Sequence, residues 1–136
     1  MAKTIHTGLH AEVAVGYLWS VFYLTAARDE AMAFLTEEQY AHVTDLMRAL
    51  AAEADPRRPK TVDVEAVEDW HELKDKGAIL GRINLRVYFT VENSRKALLV
   101  LGAIKKEADG KMPEWAKIRI RNRLRRFRRG EYGSLP

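Results

Sequence analysis

The sequence predicts an α+β domain in which two N-terminal helices pack on a small antiparallel sheet and a basic helix closes the chain. Three observations carry this. Residues 25–54 repeat apolar side chains at spacings of three and four, 82–92 alternate between apolar and polar, and "ALLVLGAI" at 97–104 is almost wholly apolar. Helical periods thus precede strand periods, the order that separates α+β from alternating α/β folds. At 136 residues the chain has the length for one core. A loose arm or an edge strand is expected over 1–12, and a flexible tail over 130–136.

Each element follows from its local pattern. "VAVGYLWSVFYL" (Val13–Leu24) is rich in Val, Tyr, Trp and Phe and reads as a strand; it falls well short of the roughly 20 residues needed to cross a membrane. "TAARDEAMAFL" places Ala27, Ala31, Phe34 and Leu35 at helical spacing, with Thr25 available as a cap. Thr36 opens "TEEQ", a capping box, and Tyr40, Val43, Met47, Leu50 and Ala54 continue one stripe along a helix of roughly 18 residues. Prolines in "ADPRRPK" end it. "VDVEAVEDWHELK" begins the strands, and "DKGAILG" interrupts them with a turn. In "RINLRVYFTVE", Ile83, Leu85, Val87, Phe89 and Val91 point one way; Arg82, Asn84, Arg86, Tyr88, Thr90 and Glu92 point the other. "NSRK" makes a hairpin turn into the central strand "ALLVLGAI".

The stretch "KIRIRNRLRRFRR" (117–129) fits two periods. Basic residues at odd positions from 117 to 125 suit a strand. A helix starting near Glu114 gathers Ala116, Ile120, Leu124 and Phe127 within an arc of about 80°. Pro113 is a sound start signal, so a helix is expected.

Charge is distributed unevenly. Residues 1–110 hold 14 Lys and Arg against 17 Asp and Glu, whereas 111–136 hold 9 against 2. A positive field gathered at one end suits a polyanion, although an acidic protein or a lipid surface would also be attracted. With no cysteine and no signal-peptide pattern, a reducing cytoplasmic setting without membrane association is expected. Neither a Gly-rich phosphate loop nor a His/Asp cluster at ligand spacing occurs, so neither a cofactor nor a metal is expected.

The succession "DWHELKDK", "INLRVYFTVEN", "ALLVLGAIKKE" and "KMPEWAKIRIRNRL" resembles the RelE/ParE toxin superfamily, in particular its phage-derived, HigB-like branch. The shared features are a Glu-Leu-Lys strand, an Arg followed by apolar residues on the next strand, a strand ending in Lys-Lys, and a Pro before a final helix. They span roughly residues 15–129, counting the helical hairpin as topology only. The resemblance implies a toxin of a type II toxin–antitoxin pair: a metal-independent endoribonuclease acting on mRNA at the ribosome and restrained by a cognate antitoxin, expected to be a helix-turn-helix protein. Some branches poison DNA gyrase instead, and a non-catalytic RNA- or DNA-binding module on the same scaffold is the other alternative.

Metal-free RNA cleavage needs a proton acceptor for the 2′-hydroxyl, cations for the charge developing on phosphate, and a donor for the leaving oxygen. Arg86 matches the family's strand arginine and its planar fork suits phosphate, unless it pairs with an acid such as Glu72. His71 and Glu72 are the acid–base candidates, although adjacent strand residues face opposite ways. Lys105 and Lys106 match the Lys-Lys, and at most one of them should face the substrate. Lys74, Arg82 and Tyr88 are candidates for substrate binding beside Arg86. Arg119, Arg123 and Arg126 would add phosphate affinity or a docking surface on the basic helix. Some family members use a tyrosine or histidine near the C-terminus; here only Tyr132 is available.

Overall fold

The structure, a computed structural model, describes residues 3–6, 9–13, 17–107 and 110–135, with side chains described for all of these except 3–6 and 10–13. Strands β1 (Lys3–His6) and β2 (Leu9–Val13) occupy the N-terminal segment, so that segment follows the edge-strand alternative. Strand β3 (Ser20–Leu24) is only the end of the expected run: residues 17–19 bend, and 14–16 lie outside the described residues. Helices α1 (Thr25–Phe34) and α2 (Glu37–Ala51) follow. The Thr36 box forms, with Thr36 Oγ1 accepting from the Gln39 N–H and Gln39 Oε1 accepting from the Thr36 N–H. Thr25 is not a cap but the first residue of α1, behind Leu24. Next come β4 (Asp63–Ala66), β5 (His71–Lys76), β6 (Asn84–Glu92), β7 (Ala97–Lys105) and α3 (Glu114–Arg128).

The fold is α+β, but its sheet corrects the expected one. Seven strands in the order β1-β2-β3-β7-β6-β5-β4 form a mixed sheet, not a small antiparallel one. β3 and β7 run parallel, while every other neighbouring pair is antiparallel. Parallel neighbours need a crossover between them. Here α1, α2 and the β4–β6 meander supply it, returning the chain to the middle of the sheet. The helical hairpin therefore follows three strands and does not open the chain.

The helices are also not gathered on one face. α2 lies on the face of β5 that carries His71, Leu73 and Asp75, where His42 Nε2 meets Asp75 Oδ2 at 2.7 Å. α3 covers the opposite face. Gly102 on β7 permits this approach: a Cβ there would sit 2.5 Å from Ile120 Cδ1. α1 runs along the edge of β7 beyond the end of β3, and Glu30 accepts from the Ala103 N–H at 3.3 Å. Covering that edge satisfies backbone groups that no strand pairs. The core runs through both sides of the sheet and includes Trp70, Tyr23, Phe89, Met47 and Leu98. Leu135 is buried as well, so the end of the chain packs on the domain.

Candidate functional site

The face beneath α3 is built from two cross-strand rows. Register places Glu65, Glu72, Tyr88 and Gly102 side by side on β4, β5, β6 and β7. The next row holds Asp63, Lys74, Arg86 and Ile104. Like charges directly opposite one another destabilise a sheet, and Glu65 opposes Glu72. Both carboxylates turn diagonally to the second row. Glu65 Oε2 accepts from Lys74 Nζ at 2.9 Å, and Glu72 Oε1 lies 3.7 Å from Arg86 Nε. The Lys74 ammonium draws the Glu65 pKa below the usual carboxylate value, and Glu65 raises that of Lys74 in return.

Burial grades sharply along these rows. The side chains of Arg86 and Glu72 are 5% and 4% exposed, and Tyr88 is fully covered. Arg86 Nη1 donates to Asn84 Oδ1 and, at 3.1 Å, to the Leu85 carbonyl. Burial, with the Glu72 charge second, holds the Tyr88 phenol far above its ordinary pKa. Among the described residues, neither the Tyr88 hydroxyl nor Glu72 Oε2 has a hydrogen-bond partner of ordinary geometry. The polar side of β6, which alternation leaves facing solvent, is thus an interior layer under α3 whose charges must pair.

Two clefts open at the edge of this layer. The larger, about 590 Å³, is lined by Asp63, Lys74, Lys76, Arg86 and Lys111 among others. The smaller, about 290 Å³, is lined by Val67, Glu72, Met112 and Lys117, and shares Glu65, Gly110 and Lys111 with the larger. Gly110 and Lys111, ahead of α3, line both. Lys106 Nζ donates to the carbonyls of both residues, that of Lys111 at 2.9 Å.

Of the residues predicted from sequence, Arg86, Glu72, Lys74 and Tyr88 come together on these rows. His71 does not. It faces the α2 side, half-buried against Phe89 with ring centroids 5.8 Å apart, and desolvation lowers its pKa. Arg82 is exposed in the turn before β6, and Lys105 is exposed at the end of β7 opposite Leu85. Lys106, one residue further on, is engaged by the loop carbonyls.

The basic helix is largely self-paired. Glu30 accepts from Arg123 with both oxygens, at 2.8 and 2.9 Å, and from Arg119 at 2.9 Å. Arg121 meets Glu68, Arg126 and Arg129 meet Glu131, and Arg128 meets Asp69. Six of the eight cations in 117–129 therefore have an acid within 4.0 Å. Arg126 also lies over the Tyr132 ring. Sequence reasoning missed Lys76, Lys111 and Glu30. Lys76 ends β5 on the face of Glu72 and Lys74, Lys111 lies outside any strand or helix, and Glu30 reaches its partners across about 90 residues of chain.

Among the described residues, no group of three or more His, Cys, Asp or Glu side chains is placed to hold a metal ion, and no helix is long and apolar enough to cross a membrane. No protein-family model matches the chain, and neither a curated protein nor a solved structure gives a significant match. The resemblance to RelE/ParE toxins rests on the quoted residues alone.

Proposed function

We propose that this protein is a toxin-type endoribonuclease of the RelE/ParE kind, cutting mRNA in the bacterial cytoplasm, at the ribosome, until a helix-turn-helix antitoxin restrains it. The observation that carries the reading is the meeting of the motif residues at one cleft. Lys74 on β5 and Arg86 on β6 line it together with Lys111, and Glu72 stands beside Arg86 on the same sheet face without lining that cleft. Arg86 at the floor, with Lys74, Lys76 and Lys111 around it, suits a phosphodiester whose charge grows in the transition state. Asp63, Glu65 and Asp75 line the same cleft and are the candidate acceptors for a 2′-hydroxyl proton.

One observation favours the binding-only alternative: His71 stands on the other side of the sheet, so the cleft has no imidazole from β5. The two readings separate on RNA itself. Induced expression followed by mapping of transcript 5′ ends should show new ends at defined positions, and a Lys74→Ala/Lys111→Ala variant should lose them while keeping its circular dichroism spectrum. Intact transcripts with salt-sensitive RNA binding would leave only the binding module. Growth arrest with intact transcripts and inhibited supercoiling would point to gyrase.

A further inference from the structure

We infer that the outward face of α3 is a stacking platform for single-stranded RNA, centred on Trp115. The inference rests on the reading above only in taking RNA as the strand. Burial defines the face. α3 turns Ala116, Ile120 and Leu124 into the protein. At 100° per residue, Trp115, Ile118, Asn122, Arg125 and Arg129 fall opposite them within an arc of about 80°, and all five are exposed. Of the three tryptophans, Trp19 and Trp70 are buried in the core, whereas Trp115 is 51% exposed, with Ile118 one turn on at 50%.

The indole is held in place as a shelf. The Arg119 guanidinium lies over it, 4.9 Å from the ring centroid, and is itself fixed by Glu30 Oε2 at 2.9 Å. The ring thus carries a cation on one face and leaves the rest to water, an arrangement on which a base stacks whatever its identity. Further along the same face, Arg125 has no acid within 4.0 Å among the described residues, and donates only to Asn122 Oδ1 at 3.3 Å. Arg129 is two-thirds exposed and meets Glu131 at 4.0 Å. Ten residues of helix, about 15 Å, separate Trp115 from Arg125, so a strand with a base on the first can lay phosphates on the second. A protein partner fits less well: a stable interface has an apolar centre within roughly 800 Å² per side, and here two apolar side chains stand at one end of a row of charge. A second copy of the chain would set arginine against arginine. Lys111, which lines the larger cleft, lies four residues before Trp115. That is at most about 14 Å of chain, so one strand can reach both.

The test uses the full chain and a single strand of 2′-O-methyl RNA of mixed sequence, which has no 2′-hydroxyl to be cut. Because the other two tryptophans are buried, acrylamide quenching of the intrinsic fluorescence reads Trp115. The single strand should shield it; the same sequence as a duplex, whose bases stack on one another, should not. Trp115→Ala should weaken binding of the single strand about tenfold, and Trp115→Phe by much less. Arg125→Ala should lower the salt dependence by about one counterion. A strand that binds while Trp115 stays open to acrylamide, and binds Trp115→Ala as well as wild type, overturns the inference. So does shielding by poly-glutamate and not by the strand, which would make the face a dock for an acidic protein. The two readings fail separately: shielding of Trp115 with intact transcripts keeps the platform and removes the nuclease, and mapped cleavage with Trp115 unshielded does the reverse.

Discussion

Two regions of this molecule concentrate cations, and they use them in opposite ways. On α3, arginines stand in quantity at the surface, and the acids they meet, such as Glu68 and Asp69, are themselves exposed. On β5 and β6 there are few cations, but Arg86 is sealed against Glu72 under a helix. An exposed pair exchanges one hydrated state for another and gains little; a buried pair has given up its water and tolerates no missing partner. The most conspicuous charge in the sequence is therefore the least committed in energy, and the cation that the fold depends on is a single arginine inside an alternating strand.

Breaking the buried pair should have the largest effect. Arg86→Ala leaves Glu72 charged without a partner and should cost about 3–5 kcal/mol in a urea unfolding experiment. Arg86→Met with Glu72→Leu should recover most of that loss. A double variant as unstable as the single would show that the pair is not what holds this layer together. Glu30 is an intermediate case, since it joins α1 and α3 to the β7 edge at about one-fifth exposure. Glu30→Ala removes the carboxylate from Arg123, which keeps its bond to the Leu101 carbonyl, and leaves the Ala103 N–H without its acceptor, and about 2 kcal/mol of stability should go with it.

The face under α2 gives a smaller, pH-dependent contrast. Burial holds the His71 pKa below its ordinary 6.5, so the folded state takes up a proton less readily than the unfolded chain. Its contribution is complete above pH 6.5 and is lost as pH falls through the lowered value. His71→Phe should flatten that part of the stability curve; an unchanged acid limb would assign the slope to other groups. Least of all should follow from Arg121→Ala, whose bidentate contact with Glu68 lies at the surface. Its midpoint in urea should match the wild type within error, and any difference should vanish in high salt.

Local patterns were legible where one side of an element faces water or a single partner. The Thr36 box, the stripe through Val43, Met47 and Leu50, the alternation through β6 and the choice of helix for 114–128 all rest on contacts within a few residues. The parallel pairing of β3 with β7 was not legible, because no spacing in either strand encodes a neighbour more than 70 residues away. The same limit hid the covering of the Arg86 face. Alternation told which residues share that face, and so which four candidates meet, but α3 decides that the face is interior. Parity alone separates His71 from Arg86 and puts Lys76 on the face of Glu72 and Lys74, whereas Lys111, outside any strand or helix, became visible only at the cleft itself.

The Glu30 contacts bear on how the chain is made. The acceptor lies on the first helix, the backbone edge it serves lies on the last strand, and its two arginines lie in the closing helix. During synthesis that carboxylate leaves the exit tunnel some ninety residues before Arg119 and Arg123 do. One carboxylate therefore answers both the open edge of β7 and the charges of α3, two elements that its own helix holds together.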